Sequence, residues 1–189
     1  MVKPTKQEAL AAVRTLIAWS GDNPDREGLL DTPRRVIEAY EEFFAGYNID
    51  PSDILSKTFE EVADYDDMVL LKNMRFESHC EHHMVPFIGV AHIAYIPNRK
   101  VVGISKIARL LNVFAKRLQT QETMTSQIAN ALEEALKPLG VAIVIDAEHQ
   151  CMTTRGVLKA GTTTVTKKMT GLFKENQKLE SRFFKMIAV

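Results

Sequence analysis

The chain has 189 residues, 46% hydrophobic and 25% charged, with 9 Gly, 7 Pro and 2 Cys, which excludes disordered, collagen-like and coiled-coil chains and fits one domain with an appended helical piece. No apolar stretch approaches the roughly 18 residues of a membrane span, Glu8 and Arg14 interrupt any signal-peptide core, and two cysteines make no disulfide framework, so a cytoplasmic protein is expected. The 24 basic and 24 acidic residues cancel, and without aromatics interleaved among the basic stretches no nucleic-acid partner is expected.

Residues 6–19 place Leu10, Val13 and Ile17 at helical spacing. After a loop over 21–31, Thr32 reads as the N-cap of a second helix with Pro33 in its first turn, carrying Val36, Ile37, Tyr40 and Phe44 and ended by Gly46. A polar connection follows over 47–66, with one short strand near Lys57 to Val62, so residues 1–66 are expected to form a mostly helical lobe and 67–189 a second domain. From Met68 the period changes to two. Met74, Phe76, Ser78 and Cys80 alternate with Arg75, Glu77 and His79, as in a half-buried strand. Phe87 to Ile96 and Lys100 to Gly103 read as strands, and Ser105 to Leu118 and Thr123 to Lys137 as helices, the latter stopped by Pro138 and Gly140. Val141 to Met152 and Thr162 to Lys168 read as strands, and 175–187 closes as a helix. This order predicts an α+β fold, an antiparallel sheet with helices on one face.

Six of the seven His and Cys residues fall in two windows, Ser78–His83 and His149–Cys151. Cys80 and His83 are three apart, a spacing that lets one turn present both to a single ion. His149 and Cys151, two apart on the expected strand, project from one face. Cys80, His83 and Cys151 thus make a candidate Cys2His zinc site whose fourth position is left for water, the arrangement of catalytic zinc. His82 and His149 lie beside it, suited to proton transfer. Two alternatives compete: a Cys80–Cys151 disulfide, and a structural four-ligand site using His82 or His149. His79 and His92 read as structural histidines.

The charge balance is not local. Residues 1–81 hold 17 acids and 9 bases, residues 82–189 hold 7 acids and 15 bases, and windows 82–121 and 149–174 contain no acid. Such windows suit a polyanionic ligand, or pairing with the acidic front of the chain. Ser105, Lys106 and Arg109 begin a helix with no acid in its first turn, a candidate phosphate site or a solvated basic face. Glu122 is either a carboxylate for the N–H edge of guanine or an ordinary acidic residue at a helix start.

Several ordered segments carry a resemblance: Arg26-Glu27-Gly28-Leu29-Leu30-Asp31-Thr32-Pro33, Cys80-Glu81-His82-His83 followed by Pro86-Phe87-Ile88-Gly89 and Ala94-Tyr95-Ile96-Pro97, Gly103-Ile104-Ser105-Lys106-Ile107-Ala108-Arg109, Gln119-Thr120-Gln121-Glu122, and His149-Gln150-Cys151-Met152-Thr153-Thr154-Arg155-Gly156. From about residue 5 onward the chain resembles the GTP cyclohydrolase I family. That resemblance implies the tunnelling fold, with sheets joined into a barrel in a pentamer and two pentamers stacked as a homodecamer. It implies conversion of GTP and water to 7,8-dihydroneopterin triphosphate and formate, which opens folate or pterin biosynthesis. It assigns Zn(II) to Cys80, His83 and Cys151, proton transfer to His82 and His149, the guanine edge to Glu122 with Gln121 beside it, and the triphosphate to Ser105, Lys106, Arg109 and Arg155. A different tunnelling-fold pterin or deazapurine enzyme, and a non-catalytic zinc-stabilised oligomer, are the competing readings.

Overall fold

In the computed structural model, which describes residues 2–60 and 65–188, the first helix starts at a reciprocal cap. The Thr5 hydroxyl accepts from the Glu8 amide at 3.2 Å while the Glu8 carboxylate accepts from the Thr5 amide at 2.8 Å, satisfying two otherwise orphaned donors. Helix α1 runs Lys6–Trp19 and α2 runs Thr32–Phe43. The N-cap of α2 is Asp31, one residue before the expected Thr32, and α2 ends at Phe43 with Phe44 as C-cap, ahead of Gly46. Neither helix buries a residue. Met1–Ala45 form one compact unit and Gly46–Val189 a second.

In the second unit the expected polar connection contains a helix. Asp50 accepts from the Ser52 amide at 2.8 Å and Pro51 opens α3 (Pro51–Leu55), which sends Leu55 into the core. The expected strand near Lys57 to Val62 is realised as β1 (Thr58–Phe59), while residues 61 and 62 lie outside the described residues. Strands β2 (Val69–Cys80), β3 (Pro86–Ile96) and β4 (Val101–Val102) follow, then α4 (Ile104–Ala115), β5 (Leu118–Gln119), α5 (Gln121–Leu136), β6 (Gly140–His149), α6 (Gln150–Thr153), β7 (Thr163–Met169), α7 (Leu172–Glu175) and α8 (Gln177–Ile187). The main sheet has the order β5-β2-β3-β6-β7, antiparallel except for the two-residue β2–β5 pairing, and β1 pairs with β4. Leu118, expected at the end of a helix, lies in β5, because its backbone pairs with His79 of β2 and its amide donates to the Tyr47 hydroxyl at 3.1 Å.

Alternation on β3 and β6 sends side chains to two cores. Phe87, Ile93, Tyr95, Ile143 and Ile145 pack against Ile107 and Leu111 of α4 and Ile128 and Leu132 of α5. Ala94, Ile96, Ala142 and Val144 face the other way, onto Phe173 and Phe183 of α7 and α8. The expectation of helices on one face alone is therefore corrected: the C-terminal helices bury apolar stripes of their own against the second face. No helix among the described residues is long and apolar enough to cross a membrane.

The second face also holds His92, 7% exposed, whose Nδ1 accepts from the Asn73 amide at 3.3 Å. Burial lowers its pKa; Asp146 opposes this and Lys72 adds to it. The folded chain prefers the neutral ring, so the unfolded chain takes up the proton first. This contribution to stability is complete above the ordinary value of about 6.5 and is lost as pH falls below it. Thermal melts from about pH 7.5 to 5.5 should show falling stability, with a shallower fall in His92→Gln. Equal slopes would show that His92 has no part in it.

Candidate metal centre and active site

β2 delivers Cys80 to the end of the sheet, and the chain folds straight back. The Met84 amide donates to the Cys80 carbonyl at 2.8 Å, the Cys80 amide to the Val85 carbonyl at 2.9 Å, and Met84 takes a left-handed φ of 54°. This turn sets His83 Nδ1 3.8 Å from Cys80 Sγ. Two strands away, β6 ends at His149 and the chain enters the single turn of α6, closed by the Thr154 amide on the Gln150 carbonyl at 3.1 Å. Cys151 therefore rides on a helical turn, not on the strand expected to run to Met152.

The donor atoms of Cys80, His83 and Cys151 all lie within 4.8 Å of one another. In a tetrahedral site with bonds of about 2.3 Å to sulfur and 2.0–2.1 Å to nitrogen, donor atoms sit roughly 3.5–3.8 Å apart. The Cys80–His83 separation is already at that value, so the set fits one ion with little movement. Two thiols and an imidazole select a soft or borderline metal. Both cysteines are free thiols, contrary to the disulfide alternative. Burial, and next the neighbouring Cys80 sulfur, push the Cys151 thiol pKa up. Adjacent thiolates disfavour each other, and a cation between them would relieve that repulsion.

His82 is exposed, with Nδ1 3.7 Å from Cys80 Sγ and Nε2 3.8 Å from the Glu81 carboxylate. It lies beside the three-donor group without belonging to it. His149 stacks on Phe87 with ring centroids 4.6 Å apart and planes 2° from parallel, following from the Phe87–His149 register of β3 and β6. Its Nε2 is 2.7 Å from Gln121 Oε1. Burial lowers the His149 pKa, against the opposing charge of Glu122. Glu122 itself is exposed in the first turn of α5. A guanidinium nitrogen of Arg155 lies 3.1 Å from His83 Nε2, which places Arg155 beside the cluster.

Gln121, expected beside the guanine edge, is 1% exposed, and its amide is turned inward to His149, β6 and β7. Ser105 and Arg109 are exposed and Lys106 half-buried at the start of α4, whose first turn has no acid and whose N-cap, Gly103, offers no side-chain bond. Among the described residues, no hydrogen bond or ion pair joins these three to the cysteine–histidine cluster. The stack on Phe87 and the inward turn of Gln121 depend on strand register, for which spacing along the chain gives no signal.

The sequence matches the GTP cyclohydrolase I family over residues 9–188. The "GTP cyclohydrolase 1" of Maricaulis maris is 60% identical over 185 residues, covering 98% of this chain and 90% of that protein. The chain belongs to the GTP cyclohydrolase I family. The "GTP cyclohydrolase 1" of Hyphomonas neptunium is likewise 60% identical over 97% of this chain and 89% of its own, and that of Brucella canis 58% identical over 98% and 87%. A solved structure of archaeosine synthase QueF-Like in the apo form superposes at TM-score 0.44 and 18% identity, over 55% of this chain and 93% of that one. That likeness is too remote to bear on GTP cyclohydrolase I chemistry here.

Proposed function

We propose that this chain hydrolyses GTP to 7,8-dihydroneopterin triphosphate and formate. The observation that carries this reading is the convergence of Cys80, His83 and Cys151 in a member of the GTP cyclohydrolase I family. We assign zinc to these three residues, because two thiols and an imidazole at tetrahedral spacing suit it. When bound, the metal supplies a Lewis acid that makes water nucleophilic near neutral pH.

The chain's own residues do the rest. His82, exposed beside Cys80, protonates the imidazole-ring nitrogen of the purine as water attacks C8, so that the ring opens to a formamide; a second water then releases C8 as formate, and closure to the pterin later returns one water. His149, held by Phe87 and Gln121, moves protons during the ribose rearrangement and closure to the pterin. The Glu122 carboxylate accepts two hydrogen bonds from the guanine N–H edge, a donor pair that adenine lacks. Arg155, Ser105, Lys106 and Arg109 take the triphosphate, with the α4 N-terminus adding its amide groups.

We read the fold as the tunnelling fold and the assembly as a homodecamer of two stacked pentamers, with sites between subunits. Two features support that reading. Among the described residues the α4 cations make no bond to their own chain's cluster, and we place them beside a neighbour's cluster, where they would meet the triphosphate. β7 lies at the margin of the main sheet, where strand addition would extend it. Free thiols at the centre fit a reducing, cytoplasmic setting.

The test is direct. Zinc-loaded protein incubated with GTP should release formate and, after oxidation, yield a fluorescent pterin, while ATP should yield neither. Intact GTP after prolonged incubation would overturn the reading.

A further inference from the structure

We propose that Gln121 is a positioning residue that determines which ring nitrogen of His149 carries the proton. The inference rests on the reading of His149 as a proton-transfer group and goes beyond it, by naming the nitrogen and the device that selects it.

The polarity of the network around Gln121 is fixed by groups that can act in only one way. Gln121 Nε2 lies 3.0 Å from the Ile145 carbonyl oxygen and 2.8 Å from that of Thr164. Carbonyl oxygens only accept, so the atom facing them is the amide NH2 and the flipped amide is excluded. Thr166 Oγ1 lies 3.1 Å from the same nitrogen. Its role is fixed too. Thr125 donates its one hydroxyl proton to the Gln121 backbone carbonyl at 2.7 Å, so at the 2.8 Å Thr125–Thr166 contact Thr166 must donate. Towards Gln121, Thr166 Oγ1 therefore presents a lone pair, and the two amide hydrogens are shared among these three acceptors. Every donor of the amide points at β6 and β7, and Oε1 is left facing His149 Nε2 at 2.7 Å. Oε1 has no proton to give, so His149 Nε2 is the N–H, and in the neutral ring Nδ1 holds the lone pair.

The lock is well supported. Gln121 is 1% exposed and Thr125 2% exposed, so water does not compete for these bonds. The stack on Phe87 holds the ring plane. A ring turned over to present Nδ1–H would exchange which nitrogen faces the reaction, and the wrong tautomer is inert in a proton-transfer step. Nδ1 is thus the nitrogen that exchanges a proton with substrate, and Gln121 acts through it without touching the base.

The decisive measurement is magic-angle-spinning NMR of the zinc-loaded full chain with 15N-labelled histidine, at about pH 8.5, two units above an ordinary histidine. The chain has five histidines, and His149→Asn identifies the resonances of this ring. We expect a single Nε2–H tautomer. In Gln121→Met, similar in length but with only a weakly accepting thioether in place of the amide oxygen, both tautomers should appear. Turnover should then fall roughly 10²-fold, the lower end of what a general acid or base contributes, with KM for GTP within about 2-fold of the original value. The double variant with His149→Asn should be no slower than His149→Asn alone, as expected for residues acting as one unit. An Nδ1–H signature in the unmodified protein overturns the proposal without any variant having to fold. So does a Gln121→Met protein in which the tautomer is unchanged. Full activity in His149→Asn would instead sink the proton-transfer reading, leaving the tautomer result to stand by itself.

Discussion

Cys151→Ser should lose bound zinc and ring-opening activity together, with turnover down by roughly 10³-fold or more. The hydroxyl is nearly isosteric with the thiol, so α6 and the end of β6 have no steric reason to move. What changes is the donor. A thiolate forms readily beside a cation, whereas a serine hydroxyl stays protonated and binds zinc weakly. Losing the Lewis acid forfeits several kcal/mol of barrier reduction, about 4 kcal/mol for a thousandfold at 1.36 kcal/mol per tenfold. His82→Ala separates ligand from proton donor. Its Nδ1 is 3.7 Å from Cys80 Sγ, yet it is not one of the three mutually close donors. That variant should keep its zinc and lose roughly 10²- to 10⁴-fold in turnover. Metal content per chain, measured beside formate release, checks both. A His82→Ala protein without metal would make His82 a ligand and reverse the assignment. Far-UV circular dichroism of Cys151→Ser distinguishes a catalytic site, which stays folded without its ion, from a structural one, which unfolds.

The clustering of Cys80, His83 and Cys151 was legible in the sequence because metal chemistry draws on few residue types, and six of seven His and Cys residues lie in two short windows. How those residues are delivered was only partly legible. The strand ending at Cys80 showed itself by period two, since one face of β2 is half-buried at Met74 and buried at Phe76, Ser78 and Cys80. The run Val141 to Ile145 has strand propensity that carries a sequence reading past His149 to Met152. The turn of α6 is four residues long, too short to show helical periodicity. The five-residue α3 escaped for the same reason. The C-terminal helices were readable as helices, but which sheet face Phe173 and Phe183 would cover depends on how the chain crosses the sheet. Gln121 is the clearest case. Its partners lie 24, 28, 43 and 45 residues further along the chain, so its role arises from the register of β6 with β7, which no local pattern encodes.

Gly89→Ala should destabilise the protein by about 3 kcal/mol or more, against what local propensity leads one to expect. Within a strand, replacing glycine by alanine ordinarily helps by roughly 0.5–1 kcal/mol, because glycine loses more backbone freedom on folding. Gly89 needs no special backbone angle. Its constraint is space, because it sits opposite Ala147 in the β3–β6 ladder. A Cβ added there would come 2.0 Å from the Asp146 carbonyl oxygen and 2.6 Å from both Cα and Cβ of Ala147. None of these is the far end of a flexible side chain, so no rotamer change relieves the overlap, and the two strands must part or slip. Two residues along, the same pair of strands sets Phe87 opposite His149, and α6 with Cys151 follows directly. Parting the strands would therefore disturb the metal cluster as well as the core, and whatever folded protein remains should hold less zinc. At roughly 2–4 °C per kcal/mol for a chain of this size, the melting temperature should drop by about 6–12 °C. A Gly89→Ala protein that melted at or above the original temperature would mean that β3 and β6 stand further apart than this, and with them the stack that holds His149.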